Sequence, residues 1–562
     1  MWIVDKYAPI IRSSMTIKAH IIDVLNRQCY DGAITVENGR IASIDPVAHL
    51  PKEAPYVMPG FVDAHVHIES SMLLPEEFGR VALRHGTVAA VCDPHEIANV
   101  LGVEGVEYMI SNSRRSPMKM CFAAPSCVPS TPFETAGGNL GVSEIETLMQ
   151  HDDIYALGEM MNSVGVVMGD ETVMGKIYSA QKARKPIDGH APLLTGDPLK
   201  KYVAAGISTD HECTTLEEAE EKLRFGMSIL LRSGSAANDF MNLMPLLATH
   251  PERLMFCSDD KHPDDLLEGH INLMVRQAVS GGYPLWNILW AACVEPVKHY
   301  RLPVGLLHPG DPADFIVVDN PVDFNVMDVY LRGFSVGQEQ PMHDKIKEDP
   351  WPNKFQRPPL SPEEIALTYP GGNIRVIGAT PSSIITDSLL VETNLSPDGT
   401  HVQQDIQRDI LKIVVANRYN SSAPTQVAFI SGFHLKRGAI ASTIAHDCHN
   451  LIAVGADDRS ILLAMNRLVA ERGGIAVSDG ENVDVLPLPV AGLMSSLPAE
   501  QVASDYQRLN RKVGELGCPF PSPFMTLSFM ALPVIPHLKL TDKGLFDYSS
   551  FGFTNLFSRD NA

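Results

Sequence analysis

The sequence predicts a mixed α/β protein with a TIM-type (β/α)8 barrel inserted in a small β-sandwich domain and followed by a C-terminal α/β domain. Three observations lead to this prediction. Eight short apolar runs alternate with helix-like segments between residues 58 and 300, which is the order of elements in such a barrel. Strand-like segments precede and follow that region. A Pro-rich stretch then separates it from a last region with strands and a helix of its own.

Residues 1–57 are predicted to form the first part of the small β domain. The segments HIIDVLNR, GAITVENG and RIASIDP are apolar or alternate in polarity, with Gly and Asn between them. The strand-like pattern returns in VGLLHPGDPADFIVVDNPVDFNVMDVYLRG. We therefore expect residues 301–347 to supply the return strands of the same domain.

The barrel is predicted over residues 58–300. Its eight apolar runs are YVMPGFVDAHVH, TVAAVCD, MKMCFAA, IYALGEM, PIDGH, GISTDH, MSILLR and RLMFCSDD. Segments such as TLEEAEEKLRFG have the pattern of the intervening helices. In that segment Thr214 and Glu217 have the spacing of a capping box, and Gly226 has the position of a C-terminal glycine cap.

A Pro-rich linker is predicted at residues 348–364 and an α/β domain at residues 365–562. Strand-like VAFISGF and NLIAVGA accompany a helix with a regular apolar stripe, which we expect to pack in the core. The stripe consists of Val502, Tyr506, Leu509, Val513 and Leu516.

The charge, the cysteines and the apolar stretches indicate which kinds of partner and which cell compartment to expect. The 562 residues have a formal net charge of −22, which argues against nucleic acid or an anionic membrane as the main partner. The nine cysteines contain no CxxC pair, which is typical of a reduced, cytoplasmic protein. The stretch MWIVDKYAPIIRSSM carries charges within its apolar part and is not expected to be a signal peptide. The apolar stretch SPFMTLSFMALPVIPHLKL is broken by Pro533 and Pro536, so a core segment is expected rather than a membrane span.

The ends of the predicted barrel strands carry the candidate chemistry. His65 and His67 are two positions apart on one strand, so their side chains point to the same side and can bind one metal ion. Two histidines satisfied by hydrogen bonds are the alternative. Four other strands also end in acidic or imidazole side chains, and so many at one edge favour a cation there. These strand ends carry Glu159, then Asp188 and His190, then Asp210, His211 and Glu212, and finally Asp259 and Asp260.

These motifs resemble the amidohydrolase superfamily, with HxH on strand one and ligands on strands four, five, six and eight. The PGDPADFIVVD return from Pro309 to Asp319 is similar to the small β domain of that superfamily. Within it, HIESSM, CDPHEIANVLG, GEMMN, DGHAP and AHDCHN resemble the adenine deaminases. The resemblance covers nearly the whole chain.

The resemblance implies two divalent metal ions per chain. His65 and His67 would bind the first ion together with Asp259, which also handles protons. Glu159 would bridge both ions, where many relatives have a carbamylated lysine. His190 and His211 would bind the second ion. Such ligands suit iron, manganese and zinc alike, and the resemblance points to manganese or ferrous iron.

The implied reaction is hydrolysis of adenine to hypoxanthine and ammonia, a step of purine salvage. A hydroxide activated by the two ions attacks C6, and a proton donor must serve a ring nitrogen. Candidates for that donor are Glu212, Asp93 and His95, which the sequence does not rank.

Four further residues are candidates for contacting the base. Glu69, Ser70 and Ser71 follow the HxH strand, although an ordinary helix start would look the same. Arg232 closes strand seven, where a surface loop is the alternative.

The AHDCHN motif is a dense group of polar side chains in the C-terminal domain. Its residues His446, Asp447 and His449 are expected to cover or complete the barrel mouth, or to hold a further ion. A strand-edge hydrogen-bond cluster is the alternative. Cys448 stands where the resembled family usually has a small hydroxyl residue.

Other functions stay open at this point. Another amidohydrolase, acting on a different base or a cyclic amide, would share the barrel and the ligands. A scaffold without metal would be expected to lack some of them. The resemblance also implies a homo-oligomer, in particular a dimer, with adenine as the small-molecule substrate.

Overall fold

The computed structural model describes residues 14–235, 237–336, 350–381 and 383–558. The outer parts of the predicted ranges 1–57, 301–347, 348–364 and 365–562 therefore lie partly outside the described residues. Most of the stretch MWIVDKYAPIIRSSM, which is not expected to be a signal peptide, also lies outside the described residues.

The small β domain is one seven-stranded sheet that contains strands from both sides of the barrel region. Phe315–Val318 pairs antiparallel with Tyr56–Pro59, and Phe315 lies opposite Pro59. In spatial order the strands are Phe334–Ser335, Val326–Leu331, Phe315–Val318, Tyr56–Pro59, Met15–Asp23, Gln28–Glu37 and Arg40–Pro46. Buried Ile21, Ile34 and Phe315 belong to its core. The described residues of the predicted sandwich therefore share a continuous hydrogen-bonded sheet.

Eight parallel strand positions form the barrel, as the sequence predicts. They are Phe61–His67, Thr87–Cys92, Lys119–Ala124, Ile154–Met160, Ile187–Gly189, Thr209–Asp210, Ser228–Arg232 and the interrupted pair Leu254–Cys257 with Asp259–Asp260. The Ser208 backbone N–H donates to the Ile187 carbonyl at 2.9 Å between strands five and six. Asp259 pairs with Val66 of strand one and closes the ring.

The first predicted apolar run is divided between two sheets. Tyr56–Pro59 belongs to the small β domain, and only Phe61–His67 is a barrel strand. Gly60 lies between them, where a Cβ atom would come within 2.3 Å of a Val88 methyl group. Only a glycine allows this close approach of the chain to strand two.

Helices cover the outside of the barrel. They are Pro75–Arg84, His95–Leu101, Val103–Ser113, Val142–Met149, Ser163–Met168, Glu171–Ala183, Gly196–Ala204, Leu216–Arg224, Phe240–Leu243, Leu246–Thr249, Pro263–Glu268, Ile271–Ser280, Leu285–Leu289, the π-helix Trp290–Val294 and Glu295–Tyr300, with 3-10 turns at Ile68–Ser71 and Pro251–Arg253. The predicted cap is wrong by one residue, because Thr215 and not Thr214 accepts a hydrogen bond from the Glu218 backbone N–H. Gly226 follows that helix with φ of 98°.

The C-terminal domain is a mostly antiparallel sheet with helices. Its strands run in the order Asp387–Val391, Asn373–Gly378, Gln426–Ser431, Leu411–Ala416, Leu451–Gly455, Ala439–Ser442, Gly474–Ser478 and Val483–Pro487, and Phe557–Ser558 pairs with Asn373–Gly378. A smaller sheet contains Leu538–Thr541, Gly544–Asp547 and Gly552–Phe553. The helices are Pro362–Ile365, Asp458–Glu471, Ala499–Glu515 and Pro523–Phe529, with a 3-10 turn at Ile406–Arg408. The apolar stripe of Ala499–Glu515 is buried, so its predicted place in the core is confirmed.

The described part of the Pro-rich segment packs against the C-terminal domain. The Ala491 N–H donates to the Pro352 carbonyl at 2.8 Å, and the Gln356 N–H donates to the Arg418 carbonyl at 2.7 Å. Its Arg357 side chain is buried. From residue 350 onward this segment is thus an edge of the third domain and not a free connection.

The C-terminal domain is docked against the barrel on the side of strands one to three. The Ser495 N–H donates to the Met72 carbonyl just after strand one, at 2.8 Å. The Thr135 N–H donates to Asp542 at 2.8 Å in the loop after strand three. Within the described ranges, no helix has both the length and the apolar character needed to cross a membrane.

Candidate active site

Strands one and eight bring together the first group of possible metal ligands. The Nε2 atoms of His65 and His67 lie 3.1 Å apart, and His67 Nε2 is 3.1 Å from Asp259 Oδ1. His65 Nε2 is 3.8 Å from the same oxygen. Asp259 has a left-handed φ of 53°, directly after the interruption of strand eight at Ser258. This uncommon conformation for a residue other than glycine is typical of functional sites.

Strand four places Glu159 between the first group and a second one. Glu159 Oε2 is 2.7 Å from His190 Nδ1 and 3.1 Å from His211 Nε2. Its other oxygen, Oε1, is 3.6 Å from His67 Nε2. The two carboxylate oxygens therefore face different imidazole groups, which is the position required of a bridging ligand.

The donor set fits divalent cations. His67 Nδ1 is 2.9 Å from the Asp93 carbonyl, and a proton shared in that bond leaves the Nε2 lone pair free for a metal. Burial and the nearby charges of His211 and His67 hold the pKa of His65 well below its usual range, so its ring is neutral. Burial opposes protonation of His67 and His211, but the carboxylates of Asp259 and Glu159 prevail and raise the pKa of both rings. A bound metal ion would replace those protons, because neutral imidazoles and ionised carboxylates are the forms that bind metals.

Ionisation of both carboxylates is favoured by their surroundings. Burial by itself would raise the pKa of Glu159, but the charges of and hydrogen bonds from His190 and His211 outweigh it and hold that pKa well below normal. Burial opposes ionisation of Asp259 as well. Its hydrogen bond with His67 and the charge of Arg232 prevail, so the pKa of Asp259 is also well below normal. Ionised carboxylates are unfavourable in a buried environment unless cations lie beside them, so these two residues indicate a cation-binding site.

The Arg232 side chain forms ion pairs with three carboxylates. Its Nη1 donates to Asp259 Oδ2 at 3.0 Å and also contacts Glu212, while its Nη2 donates to Asp239 at 2.8 Å. The guanidinium is buried. Its contacts are therefore those of a residue that orients acidic groups, and they leave little donor capacity for a base.

Asp93 and His95 reach the same region from the end of strand two. Asp93 Oδ2 accepts a hydrogen bond from the Glu159 N–H at 2.9 Å. A Cβ atom on Gly158 would lie 2.2 Å from that oxygen, which explains the glycine before Glu159. His95 Nδ1 is 3.3 Å from Glu159 Oε1 and has no hydrogen-bond partner among the described residues.

The three residues after the HxH motif have different positions. Glu69 Oε1 accepts a hydrogen bond from the Ile97 N–H at 3.1 Å, and its Oε2 is buried without a partner in the described part of the chain. Burial raises the pKa of Glu69 to about 7. The Ser70 hydroxyl donates to Asp260 at 2.5 Å. The Ser71 hydroxyl donates to the Ile68 carbonyl at 2.6 Å and accepts from the Leu73 N–H at 3.3 Å, so it is engaged in a local turn.

All three residues of the AHDCHN motif reach the barrel mouth through Glu96. His446 Nδ1 is 2.7 Å from Glu96 Oε1, and His449 Nε2 contacts Glu96 Oε2. Asp447 belongs to a group with His95 and Glu96 in which one polar atom from each residue lies within 4.8 Å of the other two. Sequence reasoning missed Glu96, although it directly follows His95 in CDPHEIANVLG.

A second missed group lies beneath the first ligands. Asp63 Oδ1 accepts hydrogen bonds from the His65 N–H at 3.2 Å and from the Ser258 N–H at 3.0 Å. Asp63 Oδ2 is 2.9 Å from His270 Nε2, and both side chains are fully buried. The bond to Ser258 ties strand one to strand eight, and the contact with His270 ties it to the start of the helix Ile271–Ser280. The only signal of this group in the sequence is the aspartate two positions before His65.

Comparison with known proteins agrees with this architecture. The amidohydrolase family matches residues 56–336, and the adenine deaminase C-terminal domain matches residues 383–552. The adenine deaminase of Salinibacter ruber is 48% identical over 546 residues, covering 97% of this chain and 99% of that protein. Those of Methanosarcina mazei (47% over 551 residues, 96% and 98%) and Sulfurovum sp. (48% over 541 residues, 96% and 99%) are similar to the same extent. The chain therefore belongs to the adenine deaminase family, with a barrel of the amidohydrolase type.

Proposed function

We propose that this chain hydrolyses adenine to hypoxanthine and ammonia in the cytoplasm, as part of purine salvage. The observation that carries the proposal is the position of Glu159, whose two oxygens face separate imidazole groups in a protein similar to adenine deaminases over almost its full length. A homodimer is proposed from the family resemblance alone.

Two divalent ions are proposed to complete the site. His65, His67 and Asp259 would hold one, His190 and His211 the other, and Glu159 would contact both. Manganese or ferrous iron is proposed, with zinc as the alternative. When bound, such a pair of ions lowers the pKa of a water molecule so that a hydroxide is available as the nucleophile near neutral pH.

Asp259 is proposed to move the proton of the reaction. It would accept the proton of the nucleophile and pass it to the leaving amine. The contact of its Oδ2 with Arg232 fixes the carboxylate, while Oδ1 remains directed toward the histidines. Arg232 is thus proposed as a positioning residue rather than a substrate ligand.

His95 is proposed as the proton donor to the purine ring. Glu212 is less suited because its carboxylate is paired with Arg232, and one oxygen of Asp93 is held by the Glu159 N–H. Asp93 Oδ1 and His95 Nδ1 both lack a hydrogen bond among the described residues. Although burial opposes protonation of His95, the charges of Glu96 and Glu159 raise its pKa, so its ring holds a proton to donate beside Glu159. A donor in that place can reach a ring held over the metal ligands.

The test combines metal analysis with turnover on protein from manganese-supplemented, iron-depleted cells. We expect about two ions per chain, loss of the adenine ultraviolet absorbance and release of one ammonia per adenine. Glu159→Gln should lose both ions and activity, whereas Glu146→Gln, on an exposed helix position, should lose neither. Two ions without adenine turnover would move the proposal to another amidohydrolase substrate. No bound metal after reconstitution would overturn the mechanism.

A further inference from the structure

The C-terminal domain closes one side of the site through a buried bridge. Glu96 of the barrel contacts both His446 and His449, and all three side chains are at most 5% exposed. The His446 ring is stacked on the Phe529 ring at a centroid distance of 4.8 Å, and this contact restricts the orientation of the imidazole. The polypeptide between the two histidines is therefore held at the barrel mouth.

Asp447 lies in that held segment. The residue is 3% exposed, and its Oδ2 has no hydrogen-bond partner among the described residues. One of its oxygens lies within 4.8 Å of a ring nitrogen of His95, whose Nδ1 is in turn 3.3 Å from Glu159 Oε1. A buried carboxylate oxygen without a donor is unfavourable unless a ligand supplies one.

Other polar atoms around this position also lack partners. Glu69 Oε2, Asp93 Oδ1, His95 Nδ1 and His446 Nε2 are buried without a hydrogen bond in the described chain. Buried polar groups are nearly always paired in folded proteins, so this concentration marks the place of a polar ligand. Both donors and acceptors are available in the group, as the edge of a purine requires.

We propose that Asp447 accepts a hydrogen bond from the imidazole N–H of the base, so that the C-terminal domain recognises free adenine. This inference rests on the proposed function. Its ring N–H distinguishes the free base from a nucleoside, whose N9 carries a sugar. A ligand without that N–H would leave Asp447 buried and unpaired, which disfavours its binding strongly.

The experiment measures kcat/KM for adenine and for 9-methyladenine, which has no ring N–H and little added bulk. The wild type is compared with Asp447→Asn and Asp447→Ala, and Asp387→Asn serves as a control at an exposed position of the same domain. We expect the kcat/KM for adenine to fall about 10-fold in Asp447→Asn and about 100-fold in Asp447→Ala. The value for 9-methyladenine should stay constant, so the selectivity falls by the same factors.

Metal content separates this role from two others. The inference predicts two ions per chain in the wild type and in both variants. A third ion in the wild type that is lost in the variants would make Asp447 a metal ligand and overturn the inference. An equal fall for both substrates would make its role merely structural, and unchanged kinetics would also overturn it. If the wild type binds two metal ions but does not deaminate adenine, both proposals fail. If the wild type deaminates adenine but the Asp447 variants keep its selectivity for adenine over 9-methyladenine, only this inference is refuted.

Discussion

Replacing Arg232 by Met should destabilise the metal-free protein by about 3 to 5 kcal/mol, the usual effect of removing one partner from a buried ion pair. Arg232 contacts Glu212, Asp239 and Asp259, whose side chains are 15%, 15% and 8% exposed. Without the guanidinium, three mostly buried carboxylates lose the ion pair that all of them share, and only the nearby imidazoles oppose their repulsion. Bound metal ions would compensate part of this charge, so the effect should be smaller in the loaded protein.

Urea titration followed by tryptophan fluorescence measures this effect. Trp286 and Trp290 lie in the last helices of the barrel and therefore report on the domain that contains Arg232. Arg114→Met is the matched control: Arg114 pairs with Asp153 at 2.8 Å, the distance of the Arg232–Asp239 pair, but its side chain is 65% exposed. The control should change the free energy of unfolding by less than about 1 kcal/mol. An equally small change for Arg232→Met would refute the reasoning.

Three further predictions concern the rest of the chain. Removing the metal ions with a chelator should lower the unfolding temperature, because ions at about 100 times their Kd stabilise the folded state by about 2.7 kcal/mol. Adding back manganese should restore the temperature. An unfolding temperature that chelation leaves unchanged would contradict the ligand assignment. Burial lowers the pKa of Lys539 to about 7 from 10.5, so the unfolded chain binds more protons between these values, and stability rises with pH across that window. In Lys539→Met this rise should be smaller in thermal unfolding from pH 7 to 10, and an identical slope would count against it. Gly492→Ala should lower the free energy of unfolding by at least about 2 kcal/mol more than Gly169→Ala in the same assay. Both glycines have φ near 70°, but only at Gly492 would the new methyl group meet a buried side chain, that of Arg418. Equal losses of stability in the two variants would contradict the clash.

Local patterns were sufficient to predict the barrel and the core helix. The eight apolar runs have the length of buried parallel strands, and the helix stripe at Val502 and Tyr506 has a helical period. The strand ends follow from the same patterns, because parallel strands of a barrel end at one face. The positions of the strand ends in the sequence are therefore enough to predict that His65, Glu159 and His211 lie close together.

Other features depend on contacts that leave no local pattern. Gly60 divides an apolar run because strand two passes close to it, and nothing in the run itself shows where the division lies. Thr214 and Thr215 are equivalent in type, and only the backbone geometry selects Thr215 as the cap. Glu96 looks like a residue of an ordinary helix start until the AHDCHN histidines are brought against it by tertiary packing.

The bridge between Glu96 and His449 has a consequence for the timing of activity during synthesis. The two residues are 353 positions apart in the chain. At about 5 to 20 residues per second, roughly 20 to 70 s pass between their emergence from the ribosome. A barrel completed in that interval would have its proposed metal ligands but would lack the C-terminal domain beside strand two. If Asp447 recognises the base as proposed, the nascent protein acquires its ability to discriminate among purines last, after the barrel has already formed.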